Sequence, residues 1–132
     1  ALAALVPERY VPACGDPIVT ADGLIGVAGT YDVDRVADIA VDLFGVTPTE
    51  APAIWEEGNA IAAAALNPGL PVLLIHGDSD TLVPMSFTDG FADALRAAGH
   101  AVTVHVVEGA DHHAVYRPQA VAETIIDWVQ SL

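Results

Sequence analysis

The stretch that decides the fold is PVLLIHGDSDTLVP, residues 71–84. Its first part, VLLI at 72–75, is a continuous apolar run of β type that ends at His76–Gly77. Such a run, without polar alternation, is typical of a central parallel strand that is buried on both faces. We therefore predict a buried strand near 72–76, followed by a polar loop at the carboxyl end of that strand.

The residues after this loop predict a helix, a second strand and a last helix. Ser86 suits an N-cap with Asp89 three residues later, and Gly99 supplies the stop. A strand near 101–107 follows, because valines alternate there with other residues. Pro118 opens the last helix. The apolar stripes of the two helices are Phe87, Phe91, Ala94, Leu95 and Ala98, and Val121, Ile125, Trp128 and Val129.

The residues before the deciding stretch predict one more strand and one more helix. GLIGVAG, at 23–29, is an apolar run bounded by turn residues and suits a buried strand near 23–28. A helix is expected from Asp34, because apolar residues recur there with helical spacing and Gly45 follows the last turn. Residues 1–6 resemble the end of a helix, and 7–22 a loop.

Residues 46–70 predict several short helical pieces, because three prolines and a glycine interrupt them. The stretch IAAAAL, at 61–66, is the most helical of these pieces. The segment is either a cap over a pocket or an ordinary connection.

Residues 71–107 thus form a strand–helix–strand unit, whose right-handed crossover makes the two strands parallel. Both strands then end at the same edge of the sheet, which is where open α/β sheets bind ligands. Two polar loops fall there, HGDSD at 76–80 and EGADHH at 108–113. A carboxylate and an imidazole that meet there suit base catalysis, since the carboxylate orients the imidazole, which takes a proton from a hydroxyl nucleophile. The candidate acids are Asp78 and Asp80, and the candidate bases are His112 and His113.

The same loops resemble those of the α/β hydrolase superfamily. G77-D-S-D80-T-L-V83-P84 resembles the acid loop of that family, and G109-A-D-H112 resembles its histidine loop. GVAGTYDV, at 26–33, is similar to the strand after the nucleophile, and LFG at 43–45 and the strand at 71–75 continue in the same order. The resemblance covers essentially the whole chain. It is closest to the esterase and lipase branch, among small carboxylesterases of the feruloyl-esterase and acyl-hydrolase kind.

This resemblance implies a fold, a reaction and a role for each site residue. The fold is α/β, with residues 1–132 as the C-terminal part of a single domain that has three parallel strands and flanking helices. The reaction is serine-type hydrolysis of a small carboxylic ester, without a cofactor. Asp80 is then the triad acid and His112 the general base, with Asp78 and His113 as their rivals.

The nucleophile that the resemblance implies has no counterpart in the sequence. The family carries its serine in G-x-S-x-G between a strand and a helix, and no such motif occurs here. ALAALV at 1–6 resembles the helix that follows this turn. We therefore expect the serine and the oxyanion hole upstream of Ala1, in an N-terminal half that is the partner of this chain. The serines present are Ser79 in the acid loop, Ser86 at a helix start and Ser131 near the end.

Two other functions compete with this hypothesis. A metal-dependent hydrolase would use the HGDSD and DHH loops as ligands. A non-catalytic or split half would bind its N-terminal partner through an exposed edge of the sheet. The candidate metal ligands are His76, Asp78, Asp80, Asp111, His112 and His113.

Composition excludes several classes of protein. The 18 acidic residues outnumber four basic ones, and the formal net charge of −14 repels the phosphates of nucleic acids. No apolar run approaches the roughly 20 residues that cross a bilayer. The single cysteine, Cys14, excludes an intramolecular disulfide. We therefore expect neither nucleic-acid binding nor a membrane span.

Overall fold

The structure, a computed structural model, describes residues 1–9 and 20–132. Cys14 and most of the loop predicted at 7–22 lie outside the described residues. Short 3-10 helices cover Pro7–Arg9 and Val33–Val36. The other elements, in chain order, are α1 (Leu2–Leu5), β1 (Leu24–Val27), α2 (Ala37–Phe44), α3 (Pro52–Gly58), α4 (Ala60–Ala63), β2 (Val72–Gly77), α5 (Ser86–Ala97), β3 (Val102–Val107) and α6 (Pro118–Gln130).

The three strands form one parallel sheet in the order β1, β2, β3. Leu24 pairs with Val72 at the start of the sheet, and Gly77 pairs with Val107 at its carboxyl edge. Every residue of β2 is buried, as expected of a central strand between two layers. The predicted fold class, three parallel strands with flanking helices, is confirmed.

Helices cover both faces of this sheet. Successive strand residues point to opposite faces, so Leu73 and Leu74 belong to different layers. Leu74 packs with Phe91 and the other buried residues of α1, α4 and α5. Leu73 packs with Val121 of α6 and with Val115 of the preceding loop. Within the described residues, no helix has both the length and the apolar character that crossing a bilayer requires.

The start of α5 differs from the prediction. Ser86 is the first residue of the helix rather than its cap, and Met85 occupies the cap position. The Ser86 hydroxyl accepts a hydrogen bond from Arg35 at 2.8 Å. The chain enters α5 directly from a turn in which the Phe87 N–H donates to the Pro84 carbonyl oxygen at 3.0 Å.

The helix predicted at 61–66 is also shorter than expected, since α4 ends before Ala64 and α3 is the longer of the two. Pro68 has no N–H with which to continue the ladder to the Ala64 carbonyl oxygen. His100 takes that place, with Nε2 2.8 Å from the Ala64 oxygen and Nδ1 3.0 Å from the Leu70 oxygen. A buried histidine from the loop before β3 therefore holds the end of this segment.

Candidate active site

Two loops meet at the carboxyl edge of the sheet. The Asp78 N–H, just after β2, donates to the Val107 carbonyl oxygen at 3.3 Å. The Ser79 N–H donates to the Ala110 carbonyl oxygen at 3.1 Å. In return, the Gly109 N–H donates to the Asp78 carboxylate at 2.7 Å. These hydrogen bonds fix the loop after β2 against the loop after β3.

Gly77 allows the two loops to approach this closely. A β-carbon at this position would overlap the Ala110 carbonyl oxygen and lie 2.8 Å from the Ala110 carbonyl carbon. Both obstacles are backbone atoms, so no change of side-chain rotamer relieves the overlap. Any larger residue at Gly77 must therefore separate the loops.

We expect Gly77→Ala to lower the unfolding free energy by about 1–3 kcal/mol, because the loops must move apart. Chemical denaturation followed by circular dichroism measures this change. Gly90→Ala is the matched control, since Gly90 is exposed within α5 and its added β-carbon would meet only Ile61, at 4.0 Å. This control should instead stabilise the fold by about 0.5–1 kcal/mol. A Gly77→Ala protein as stable as wild type would contradict the prediction.

Asp80 is a buried carboxylate, 8% exposed, with both oxygens engaged. Its Oδ1 accepts hydrogen bonds from the Leu82 N–H at 2.9 Å and the Val83 N–H at 2.8 Å. Its Oδ2 lies 2.8 Å from Nδ1 of His112. Burial by itself raises the pKa of Asp80, but the hydrogen bonds from Val83, His112 and Leu82 outweigh it and hold the pKa below its ordinary value. Asp80 is therefore ionised at neutral pH.

His112 presents one ring nitrogen to Asp80. A carboxylate oxygen only accepts, so Nδ1 carries the hydrogen, and in the neutral ring Nε2 keeps its lone pair. Residues 1–9 and 20–132 provide no hydrogen-bond partner for Nε2, and the side chain is 21% exposed. The ring is therefore arranged to accept a proton from a group brought to it.

Tyr116 supports the His112 ring, and the sequence analysis missed it. The two ring centroids lie 5.2 Å apart, and the Tyr116 hydroxyl donates to the Val27 carbonyl oxygen at 3.1 Å. Partial burial raises the pKa of Tyr116, and the charge of Asp80 raises it further, so the phenol stays protonated. The spacing of four residues between His112 and Tyr116 does not predict this role, because the Tyr116 hydroxyl bonds to Val27, at the end of β1.

The structure separates each candidate from its rival. Asp78 is exposed, and its carboxylate joins the two loops instead of facing an imidazole. His113 is exposed as well, and its ring centroid lies 5.9 Å from that of His112. The geometry brings Asp80 and His112 together and leaves Asp78 and His113 outside that pair.

The candidate metal ligands do not form a ligand cluster. In the part of the chain that the structure describes, no group of three or more His, Cys, Asp or Glu side chains has the geometry to hold a metal ion. His76 also lies near Asp80, with its Nε2 3.4 Å from Asp80 Oδ2. The two ring nitrogens of His76 already have hydrogen-bond partners, the Val83 carbonyl oxygen and the Thr88 hydroxyl.

None of the three serines hydrogen-bonds to His112. Each hydroxyl has another partner within the described residues: the Asp78 carboxylate for Ser79, the Arg35 guanidinium for Ser86 and the Trp128 carbonyl oxygen for Ser131, at 3.1, 2.8 and 2.6 Å.

The fold and the site define this chain as an α/β hydrolase. An acid loop follows one strand of a parallel sheet, a histidine loop follows the next strand, and the two loops are in contact. The predicted superfamily is confirmed. The chain belongs to the prolyl oligopeptidase family, a family of serine hydrolases, whose sequence model matches residues 22–132. No curated protein matches the chain significantly.

Solved structures of this fold include peptidases and esterases. A protein of Bacteroides ovatus assigned as a dipeptidyl aminopeptidase IV is 17% identical, with a TM-score of 0.72 over 98% of this chain and 17% of its own. A thermophilic esterase of Thermogutta terrifontis with bound propionate is 19% identical, with a TM-score of 0.66 over 98% of this chain and 48% of its own. A puromycin-hydrolysing peptidase of Mycobacterium tuberculosis is 24% identical, with a TM-score of 0.61 over 78% of this chain and 17% of its own.

The chain therefore spans less than half the length of each of these proteins, and at such identities the likeness shows the fold alone. Esterases among the neighbours agree with the predicted resemblance. Peptidases among them were not predicted.

Proposed function

We propose that the complete protein containing this chain is a serine hydrolase that acts on carboxylic esters. His112 is its general base and then its general acid, and Asp80 orients His112. The observation that carries this proposal is the 2.8 Å contact between His112 Nδ1 and Asp80 Oδ2, which leaves Nε2 for a hydroxyl nucleophile.

The proton moves twice in each half of the proposed reaction. Nε2 of His112 takes the hydrogen of a serine hydroxyl as the oxygen attacks the ester carbonyl carbon. The imidazolium, stabilised by the Asp80 carboxylate, then gives this proton to the departing alkoxide, which leaves as an alcohol. Water repeats both steps on the acyl-enzyme, so that a carboxylic acid leaves and the serine recovers its hydrogen.

The nucleophile is proposed to come from polypeptide that precedes α1, in an N-terminal half of the same domain. Leu2 of α1 and the preceding Ala1 line a concavity of about 440 Å³ together with Thr30 and Tyr31, which follow β1. The start of α1 therefore lies at the same edge of the sheet as His112. A serine just before α1 would be brought to this edge.

The free edge of β1 supports the same proposal. Among the described residues β1 pairs with β2 alone, and Ile25 on β1 is 38% exposed. The unpaired backbone groups of an edge strand invite a further strand. We infer that a parallel strand of the N-terminal half pairs here, covers Ile25 and leads through the nucleophile into α1.

An ester is proposed as the substrate because the acid loop and the histidine loop resemble those of small carboxylesterases. The solved neighbours include an esterase with bound propionate and a peptidase that hydrolyses puromycin, and one acyl-enzyme mechanism serves both reactions. Residues 46–70 are proposed as the cap over the bound ester, since Gly58 and Ala60 line the same concavity as α1 and Tyr31.

Hydrolysis of p-nitrophenyl acetate by the complete protein tests this function, with p-nitroacetanilide as the matched amide. We expect turnover of the ester that a fluorophosphonate abolishes and that EDTA leaves unchanged. Mass spectrometry should find the phosphonyl label on a serine outside residues 1–132. Residues 1–132 alone should show no serine-dependent turnover, because the proposed nucleophile and oxyanion hole are absent from them.

The other outcomes would contradict part of this proposal or favour another function. A label on Ser79, Ser86 or Ser131 would contradict the proposed source of the nucleophile. Activity that EDTA removes and added metal restores would favour a metal-dependent hydrolase. Turnover of the amide at a rate comparable to that of the ester would favour a peptidase, because the amine is the poorer leaving group. A folded but inactive complete protein would favour a binding module.

A further inference from the structure

His76 is a buried titratable side chain that the proposed mechanism does not use. It lies near the end of β2, is fully buried, and places Nε2 3.4 Å from Asp80 Oδ2, the oxygen that also faces His112. Buried polar groups in folded proteins are hydrogen-bonded, so the partners of this ring show what it holds in place.

Each ring nitrogen of His76 has a partner that defines its protonation. Nε2 lies 2.8 Å from the Val83 carbonyl oxygen, which only accepts, so Nε2 carries the hydrogen. Nδ1 lies 2.6 Å from the hydroxyl of Thr88, and in the neutral ring it accepts the hydrogen of that hydroxyl. Thr88 is fully buried in the first turn of α5. The ring thereby ties β2 both to the acid loop and to α5.

His76 acts on Asp80 in two ways, one direct and one indirect. Directly, the hydrogen on Nε2 of His76 carries partial positive charge, and Nε2 lies 3.4 Å from Oδ2 of the carboxylate. Indirectly, His76 acts through Val83. The His76 ring hydrogen-bonds to the Val83 carbonyl oxygen, and the Val83 N–H donates to Asp80 Oδ1. Burial raises the pKa of Asp80, and the Val83 N–H is the first of the groups that lower it. Holding Val83 therefore also keeps the carboxylate ionised.

We propose that His76, locked by Thr88, is a positioning residue that fixes the Asp80 carboxylate against His112. The inference rests on the proposed function, because His76 acts on the reaction only through Asp80. It adds a second imidazole next to the Asp80 carboxylate without adding a group that touches the substrate.

The test uses variants of the complete protein, with ester kinetics and low-field proton NMR as the two readouts. A His112 Nδ1–H bonded to Asp80 gives a low-field resonance, which is assigned by its loss in His112→Ala. His76→Phe keeps a ring but no donor, so it should lower kcat by about tenfold to a hundredfold at unchanged KM and broaden this resonance. His76→Gln, whose amide donates to Val83, should recover most of both.

His100→Phe is the matched control. His100 is likewise a buried histidine with a partner at each ring nitrogen, but it precedes β3 and so lies at the opposite edge of the sheet. Its replacement should leave kcat and the resonance unchanged in the folded protein. An equal loss in His100→Phe would overturn the inference, because a general loss of packing would then explain both variants.

Four further outcomes also decide the matter. A folded His76→Phe protein with wild-type kcat and an unchanged resonance overturns the inference, as does a wild-type protein without the resonance. If His76→Phe does not fold, Thr88→Val releases the ring instead, and the same readouts support or overturn the inference. If the complete protein hydrolyses no ester, the proposed function has failed, and the dependence of the resonance on His76 alone decides the inference.

Discussion

His112→Ala in the complete protein is expected to lower kcat for ethyl butyrate, an unactivated ester, by about 10⁵–10⁶-fold. In the proposed reaction the imidazole takes the serine proton and returns it to the leaving group. Its loss leaves a neutral hydroxyl as the nucleophile and an alkoxide without a proton donor. The residual rate comes from substrate binding and the oxyanion hole. Titration of the released acid in a pH-stat measures kcat, and KM should change little.

His113→Ala is the matched control for this substitution. It removes the same ring one residue further along, from an exposed position, whereas the hydrogen bond to Asp80 is made by His112. Surface substitutions of this kind change stability by about 0.5 kcal/mol or less, so folding should not confuse the comparison. We expect a kcat close to that of wild type. A loss as large as that of His112→Ala would show that the base has been assigned to the wrong histidine.

Asp80→Asn is expected to lower kcat by about 10⁴-fold while the fold is retained. The two backbone N–H groups of Leu82 and Val83 require an acceptor, so the amide oxygen must take the position of Oδ1. The amide NH₂ then faces Nδ1 of His112, which must become an acceptor. Its hydrogen moves to Nε2, and the nitrogen that should take the serine proton is already protonated.

Long-range ¹H–¹⁵N NMR measures the tautomer of His112 directly, alongside the kinetics. Asp78→Asn is the control, because Asp78 accepts hydrogen bonds with Oδ1 and the asparagine oxygen can do the same. It should keep both the wild-type tautomer and a kcat near that of wild type. An Asp80→Asn enzyme with wild-type kcat would remove Asp80 from its proposed role, and a large loss in Asp78→Asn would transfer that role to Asp78.

The sequence by itself determined the layered architecture of this protein. The apolar run at 72–75 predicts a strand buried on both faces, and stripes with helical spacing predict α5 and α6. These patterns are local, because they record which face of an element leaves water when the chain folds. The right-handed crossover then requires parallel strands that end at one edge, and this rule places the two polar loops together.

Resemblance to a family selected Asp80 and His112 from their neighbours, and only the tertiary structure decided whether these two side chains meet. Asp78 and Asp80 belong to one turn, and turn chemistry suits both. The Gly109 N–H engages Asp78, while Asp80 lies buried with Oδ2 against His112. Both contacts cross from one loop to the other, so the sequence of the turn does not by itself show which carboxylate faces the histidine.

The same reason explains what the sequence analysis missed or predicted wrongly. The Tyr116 hydroxyl bonds to Val27, 89 residues away, and the Ser86 hydroxyl bonds to Arg35, 51 residues away. The His76 ring bonds to Thr88 in the next helix. Periodicity reports the burial of an element, whereas the direction of a polar side chain is set by its hydrogen-bond partners. Those partners come from distant parts of the chain, so only the folded arrangement brings them within reach.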